Sequence, residues 1–340
     1  MECELSIVLL KRMQAHARHG PVADSRHFGQ NVCVDGRDGQ RTAENLLMGM
    51  SSHPSSVTLP PAKKPYPTLL EFFIQRFPDI QGSRWQARLL AGKILDQQGD
   101  AVTLDTPYSP RQRLYYFREV EEEPCIPFAE QILFQNDEIV VACKPHFLPV
   151  IPGGRYVNEC LLGRLQRRTG NMALTPVHRI DRDTAGIVLF SANKKTRGLY
   201  HALFARGEVD KIYHALADYT HPAPGSEWRV ENRITRGEPW CRRKVSPGEP
   251  NARSHIQLAQ VRGNRARFIL RPLTGKTHQL RLHMSGLGFA IVNDRYYPAL
   301  QPQAVDEFEH PLRLIAKRLQ FRDPVSGAAM EFVSGRELSL

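Results

Sequence analysis

The stretch "HRIDRDTAGIVLFSA", from His178 to Ala192, joins a knot of charged residues to an apolar run. Its first six residues hold two arginines, two aspartates and a histidine, and the apolar residues Ile187–Phe190 follow. A short apolar run of this kind is typical of a buried strand, and Gly186 lets the chain enter it. The charged residues are either a solvated surface turn or the lip of a functional site, and the flanking sequence has to separate these two interpretations.

Strand-like and helix-like segments alternate irregularly around this stretch, from residue 125 to residue 340. The strands are too many and too irregularly linked for a doubly wound parallel sheet. We therefore predict an α+β domain with a mixed, mostly antiparallel sheet and flanking helices. The clearest predicted strands are residues 138–145, 186–192, 210–219 and 266–272, and the clearest predicted helices are residues 158–170, 194–207 and 277–288.

The first third of the chain has a different texture. Residues 1–65 are predicted to be a poorly ordered extension that ends in the Pro/Ser-rich linker "SSHPSSVTLPPAKKPYP". Residues 66–124 are predicted to form a small N-terminal domain. Its expected elements are a helix capped by Thr68, a second helix from Ser83 and a strand near Ala101–Leu104.

The composition is that of a soluble globular protein. The chain has 340 residues, of which 41% are hydrophobic and 24% are charged, and no apolar stretch is long enough to span a bilayer. Acidic residues and a very short apolar run at the N-terminus argue against a secretory signal. The six cysteines form no C-x-x-C pair, which favours reduced thiols over a disulfide framework or a zinc site. We therefore expect a cytoplasmic protein with no membrane partner.

Positive charge is concentrated in one part of the chain. The net charge is +11. The window from Cys241 to Leu300 contains eleven basic residues, opposed only by Glu249 and Asp294, which gives it a net charge of +9. A concentrated basic field is typical of proteins that bind a polyanion, most often nucleic acid.

Four segments in order resemble the RluA-type pseudouridine synthases. They are "VACKPHFLPVIPGG", "PVHRIDRDTAGIVLF", "DKIYHALA" and "RPLTGKTHQLRLHMSGLGFAIVNDRYY". The family signature His-Arg-Leu-Asp followed by Thr-Ser-Gly stands here as residues 178–181 and 184–186. The later signature Gly-Arg-Thr-His-Gln-Ile-Arg stands as residues 275–281. Ile180, Ala185 and Lys276 depart from the family pattern. The first two carry no assigned chemical group, whereas Lys276 keeps the positive charge but lacks the bidentate fork of the family's arginine for a phosphate contact.

This resemblance implies an enzyme that isomerises uridine to pseudouridine inside ribosomal or transfer RNA. The N1–C1′ bond breaks, the uracil turns and C5 bonds to C1′, without a cofactor or a metal ion. The implied fold is the pseudouridine synthase fold, with a central RNA-binding cleft. The target base must leave its stack before it can react.

The resemblance also implies the roles of individual residues. Asp181 becomes the catalytic carboxylate, which either attacks C1′ or assists loss of the C2′ proton. Arg281 is expected to hold that carboxylate through a bidentate contact. Tyr213 is expected to stack on the uracil and, as a further role, to relay the C5 proton. Arg179 is expected to fill the gap left by the flipped nucleotide, whereas the neighbouring Arg182 and Asp183 are expected to be solvated.

Further residues of the matching motifs are candidate RNA contacts. His178 is expected mainly to support its loop through a hydrogen bond, and Lys144 to brace a neighbouring loop. His278 and His283 are five residues apart, so a helix turns them away from each other and a metal pair is not expected. The candidate RNA-binding residues are Arg179, His178, Lys211, Lys276, Thr277, His278 and Gln279.

Other interpretations remain open at this point. Residues 83–116 resemble the alpha-L type RNA-binding module of many relatives, and the alternative is a helical cap on the larger domain. The chain could also be a non-catalytic RNA-binding or ribosome-assembly factor on the same fold, or a hydrolase that uses the same carboxylate. We expect a monomer, because no apolar stripe is left over for a partner.

Overall fold

The computed structural model describes residues 50–61, 66–78, 80–120, 123–219, 226–302 and 308–340, without the side chains of residues 50–54. These residues divide into two compact units. The first ends at Cys125 and also includes Gly154–Asn158, and the second consists of Ile126–Gly153 and Glu159–Leu340. The predicted extension up to residue 49 lies outside the described residues.

The first unit packs two short helices on a three-stranded antiparallel sheet. Its sheet has the order β1-β3-β2, and Trp85 stacks on Phe73 at 4.5 Å between ring centroids in the core. Thr68 caps the first helix, as predicted, by accepting a hydrogen bond from the Glu71 amide at 3.3 Å. The elements are β1 (Met50–Thr58), α1 (Leu69–Arg76), α2 (Gly82–Leu90), β2 (Ile94–Leu95) and β3 (Arg113–Glu119).

Two predictions for this unit are wrong. The predicted linker contributes β1, which pairs with β3, and the following Leu59 is fully buried. Edge strands tolerate proline because one side of the strand needs no ladder hydrogen bond, and Pro54 lies where the register of β1 shifts. No strand begins at Ala101, where one was expected. The described strand of this segment is β2, and Ala101 forms only an isolated bridge to Leu95.

The second unit is built on an 11-stranded sheet. Its strands are β4 (Gln131–Gln135), β5 (Ile139–Lys144), β6 (Thr175–Pro176), β7 (Ala185–Ser191), β8 (Val209–Asp218), β9 (Glu227–Arg236), β10 (Arg243–Ser246), β11 (Ala252–Arg262), β12 (Arg265–Pro272), β13 (Leu314–Arg322) and β14 (Ala329–Val333). They lie in the order β10-β9-β11-β12-β8-β13-β7-β5-β4, with β14 beside β13 and β6 beside β7. Among the described pairs, only β7 and β13 run parallel, which confirms the predicted α+β class.

The burial pattern of each strand explains which strands could be predicted from the sequence. Every residue of β5 and β7 is buried, and both strands contain an unbroken apolar run, residues 139–143 in β5 and 187–190 in β7. In β12 buried and half-buried residues alternate, as expected for a strand with one covered face. The helices of this unit are α3 (Leu161–Thr169), α4 (Arg197–Arg206) and α5 (Gln279–Gly286).

Gly186 shapes the point at which the charged loop enters β7. Its φ is +114°, and a Cβ added there would lie 2.2 Å from the Ala316 carbonyl oxygen. Gly186 and Ala316 are register partners in the parallel pair of β7 and β13. The glycine therefore allows the backbone of β13 to approach closely, and this contact places residues 178–184 beside the middle of the sheet.

The cysteines depart in part from the predicted reduced state. Cys143, Cys160 and Cys241 are free thiols, but Cys125 is disulfide-bonded. The prediction of reduced thiols is therefore wrong for Cys125. Spacing along the chain does not reveal which cysteines lie close together in the folded protein. None of the helices that the structure describes is long and apolar enough to cross a membrane.

Candidate active site

A cavity of about 750 Å³ opens in the second unit. Its walls come from the loop before β7, from β8, and from the connection between β12 and α5. Residues that lie far apart in the sequence, such as His178 and Arg281, are therefore brought together in one site. All ten predicted site residues line this cavity, namely His178, Arg179, Asp181, Lys211, Tyr213, Lys276, Thr277, His278, Gln279 and Arg281.

The Asp181 carboxylate reaches the cavity and faces a buried cation. Its side chain is 25% exposed, and Oδ2 lies 3.4 Å from Nη1 of Arg281. Nε2 of His278 lies 4.0 Å from the same oxygen. The backbone carbonyl of Asp181 accepts a hydrogen bond from the Thr184 amide, which closes a turn directly before β7. The turn fixes the carboxylate at the strand entrance, where it is open to a ligand.

Arg281 on α5 makes its closest contacts with a different carboxylate. Its Nε and Nη2 donate to the two oxygens of Asp294 at 2.8 and 2.6 Å. The predicted bidentate contact with Asp181 is therefore wrong, because the fork of the guanidinium is already used and only Nη1 faces Asp181. Burial opposes the charged form of Arg281, but the hydrogen bonds and charge of Asp294 raise its pKa above the usual value.

Asp294 also organises the loop after α5. Its Oδ1 accepts hydrogen bonds from the amides of Tyr296 and Tyr297 at 2.9 and 3.2 Å. The Tyr296 ring lies with its centroid 4.8 Å from the Arg281 guanidinium carbon, in a cation–π contact. Sequence reasoning did not assign Asp294 to the site. The available signal was that Asp294 is one of only two acids in the strongly basic window.

Arg182 and Asp183 are not the solvated part of the turn, as had been predicted. Asp183 is 9% exposed, and its carboxylate accepts a hydrogen bond from Nε of Arg182 at 3.1 Å. Its Oδ2 lies 4.0 Å from Nη1 of Arg281. Burial opposes ionisation of Asp183, but the charges of Arg182 and Arg281 prevail and lower its pKa. Ile180 is half-buried and lines the cavity.

Lys144 at the end of β5 braces the loop that carries Asp181, which confirms its predicted role. The ammonium group is fully buried, and burial lowers the pKa of Lys144 to about 7. It donates to three backbone carbonyls, those of Pro145, Leu148 and Arg182, at 2.9, 2.7 and 2.9 Å. One side chain thus ties the loop after β5 to the loop before β7.

His178 and Tyr213 form the uncharged side of the cavity. Nε2 of His178 accepts a hydrogen bond from the Leu189 amide at 3.1 Å, and the ring stacks on Phe204. Burial lowers the pKa of His178 to about 3, so the ring is neutral and supports the loop, as predicted. Burial and the charge of Asp181 raise the pKa of Tyr213. Tyr213 is therefore a neutral phenol, which suits a contact with a base better than proton acceptance.

The connection between β12 and α5 contributes both exposed and internally bonded groups. Lys276 and Thr277 are exposed, as is Arg179 on the opposite loop. Within the described part of the chain, no carboxylate pairs with Arg179 or Lys276. Gln279, by contrast, is 3% exposed. Its Oε1 accepts hydrogen bonds from the Thr274 hydroxyl and the Lys276 amide. Its Nε2 donates to the Arg253 carbonyl and the Ser254 hydroxyl. These bonds favour a structural role for Gln279.

The two histidines considered as a metal pair are separated. Nδ1 of His278 lies 3.1 Å from the Tyr297 hydroxyl, whereas Nε2 of His283 lies 3.1 Å from Oδ1 of Asn232. Over the described ranges, no group of three or more histidine, cysteine, aspartate or glutamate side chains is arranged to hold a metal ion.

Comparison with known proteins identifies the family. The family model for RNA pseudouridylate synthase matches residues 138–286. The dual-specificity RNA pseudouridine synthase RluA of Escherichia coli is 31% identical over 205 residues, which cover 59% of this chain and 90% of that protein. The chain belongs to the RluA-type RNA pseudouridine synthases. The predicted family and enzyme class, an isomerase that acts on RNA, are thereby confirmed.

Two further comparisons describe the extent of the similarity. RNA pseudouridine synthase 7 of Oryza sativa is 25% identical to this synthase over 237 residues, 68% of this chain and 60% of the rice protein. The synthase thus spans less than two thirds of that relative. The structure of human RNA pseudouridylate synthase domain containing 1 has a TM-score of 0.50 and 22% identity, and the match covers 63% of this chain and 86% of the human one. At this identity the likeness shows the fold alone.

Proposed function

We propose that this synthase converts uridine to pseudouridine in structured ribosomal or transfer RNA, with Asp181 as the catalytic carboxylate. The observation that carries this proposal is the partly exposed Asp181 carboxylate, 3.4 Å from the buried Arg281. Cleavage of the N1–C1′ bond builds positive charge at C1′. An ionised carboxylate stabilises that charge, either by attacking C1′ or by assisting loss of the C2′ proton.

Arg281 serves in this proposal as the counter-charge that keeps the Asp181 side chain oriented. Since Asp294 occupies two of its nitrogens, the guanidinium cannot turn freely. Its third nitrogen, Nη1, is held towards Asp181. A cation fixed in this way stabilises developing charge without reorganisation during the reaction.

The remaining residues are proposed to hold the RNA. The target uridine leaves its stack and enters the cavity, where Tyr213 contacts the uracil. Arg179, exposed and without an ion-pair partner in the described chain, occupies the gap in the RNA. Lys276 and Thr277 contact backbone phosphates, because they lie exposed on the opposite wall. Lys211, His178, His278 and Gln279 shape the walls around the base.

Three further statements remain predictions. Residues 66–124, to which the structure adds β1, are proposed to form an RNA-binding module. The synthase is expected to act as a monomer, and in the cytoplasm.

The test of the proposed function is a comparison of pseudouridine maps. Total RNA from cells that lack the gene is compared with RNA from the same cells carrying the wild-type gene, Asp181→Asn or Asp181→Ala. We expect the wild type alone to restore pseudouridine at specific sites, since neither substitution leaves a carboxylate. Both variants should fold and still bind RNA. Pseudouridine formed by either variant would refute the role of Asp181, and free uracil or abasic sites would indicate a hydrolase.

A further inference from the structure

A second groove, of about 470 Å³, lies beside the active-site cavity in the second unit. Pro272 and Leu273, at the end of β12, line both the cavity and the groove. The other wall of the groove includes Gln320 and Arg322 of β13. A polymer that leaves the active-site cavity across Leu273 would therefore enter this groove directly.

The acidic residues of the groove already have partners. The Glu208 carboxylate accepts hydrogen bonds from Arg206 at 2.7 and 3.0 Å. Asp210 is paired with Arg318 at 3.2 Å. Both of these arginines lie outside the groove lining, so the two acids add no uncompensated negative charge to it.

The two basic residues of the groove lack such compensation. No carboxylate in the described ranges forms an ion pair with Arg271 or with Arg322. Arg322 donates to the Gly327 carbonyl at 2.6 Å, which fixes the direction of its side chain without neutralising its charge. The groove thus presents two free positive charges.

Arg271 shares a row across the sheet with His255 and Arg229. It is the register partner of His255 on β11, and His255 is in turn the partner of Arg229 on β9. Nε2 of His255 lies 3.3 Å from Oε2 of Glu227, so His255 adds no uncompensated charge beside Arg271. Arg271 itself is half-buried.

Leu273 supplies the apolar part of the same surface. It is 67% exposed although it lies at the junction of the cavity and the groove. An exposed apolar side chain between a reaction cavity and a positively charged groove suits a nucleotide, whose base needs apolar contact and whose phosphate needs a cation.

We propose that this groove binds the RNA strand that flanks the target uridine, with a backbone phosphate at Arg271 and Arg322 and a base against Leu273. The inference rests on the proposed function, because it extends the path of the RNA substrate from the active-site cavity. It assigns a binding role to residues outside the two family signatures, which stand at residues 178–186 and 275–281.

The test measures binding of two labelled RNAs, oligouridylates of about 20 and about 5 nucleotides, chosen to reach beyond the cavity and to fit within it. We expect Arg271→Gln to weaken binding of the long RNA roughly tenfold, as for loss of one charge-assisted phosphate contact. The slope of log Kd against log salt concentration should fall by about 1. Binding of the short RNA should match that of the wild type.

The matched control is Arg262→Gln, which removes one exposed arginine of β11 that lines neither the cavity nor the groove. It should leave both RNAs bound as by the wild type. Arg322→Gln changes the other arginine of the groove, which does not line the cavity. This second variant is expected to weaken only the long RNA, and it decides the question if Arg271→Gln does not fold. Equal losses for both RNAs, or an equal loss in Arg262→Gln, would overturn the proposal. Absence of pseudouridine formation by the wild type would instead count against the proposed function, because binding is measured independently of turnover.

Discussion

At the scale of single residues, three carboxylates surround the guanidinium of Arg281. Asp294 accepts hydrogen bonds from Nε and Nη2, whereas Nη1 lies 3.4 Å from Oδ2 of Asp181 and 4.0 Å from Oδ2 of Asp183. Because Asp294 takes two of the three nitrogens of Arg281, Asp181 contacts only the third and stays partly exposed to the cavity. A residue outside the cavity lining thus fixes the orientation of the Arg281 guanidinium.

We expect Asp294→Asn to reduce the rate of pseudouridine formation about 100-fold, because a small displacement of an oriented group can have that effect. Breaking the buried pair should also lower the free energy of unfolding by about 3 kcal/mol. Single-turnover kinetics on the mapped RNA and urea unfolding measure the two effects. Arg281→Ala, which removes the counter-charge itself, should abolish activity.

Asp218→Asn is the matched control, because it breaks an exposed ion pair with Arg265, in which the side chains are 57% and 39% exposed. It should change the free energy of unfolding by less than about 1 kcal/mol and leave the rate unaltered. If Asp294→Asn reacted as fast as this control, Asp294 would have no positioning role.

The sequence predicted the residues that line the cavity better than the residues that support them. Asp181, Tyr213 and Arg281 stand in motifs of fixed spacing, and the structure brings them to one cavity. Asp294 stands in a loop, and its contact with Arg281 depends on how that loop folds back on α5. Pairing of this kind has no periodic pattern along the chain, and for the same reason Asp183 was expected in solvent.

At the scale of elements, apolar strands were predictable and polar ones were not. Residues 139–143 of β5 and 187–190 of β7 are continuous apolar runs, whereas β1 is rich in serine and contains a proline. The stability of β1 comes from its backbone pairing with β3, and backbone hydrogen bonds leave no signature in side-chain hydrophobicity. Strand β9 was not predicted either, since charged residues occupy its exposed positions.

The junction of β7 and β13 gives a prediction at this scale. Gly186→Ala should lower the free energy of unfolding by about 2–4 kcal/mol, because the new Cβ combines an unfavourable φ with a collision against the Ala316 backbone. Denaturant titration measures this loss.

Gly198→Ala provides the comparison. Gly198 lies in α4, and nothing is within 4 Å of an added Cβ. The alanine should stabilise the helix by about 0.5–1 kcal/mol. If both alanine variants had the same stability, the close approach at Gly186 would be without energetic consequence.

At the scale of the whole molecule, buried neutral histidines predict a sensitivity to acid. Burial lowers the pKa values of His146, His178 and His283 to about 4, 3 and 4, from an ordinary value of 6.5. Between pH 6.5 and these values the unfolded chain binds more protons than the folded one. The free energy of unfolding should therefore fall as the pH is lowered through this window.

Each histidine should contribute up to about 1.4 kcal/mol per pH unit. Urea titrations at pH 7, 6 and 5 measure the total slope, and His178→Gln should reduce it by the share of one proton. A slope that is the same in the wild type and in this variant would contradict the assignment of His178 as a buried neutral ring.

The order of strands in the large sheet has a consequence for biosynthesis. Strand β13 lies between β7 and β8, although it follows both by many residues. Asp181 precedes β7 and Tyr213 lies on β8, so the two cannot be joined through the sheet until residues 314–322 have left the ribosome. Until then the two halves of the candidate active site belong to separate sheet fragments with open edges, and unpaired strand edges are prone to aggregation.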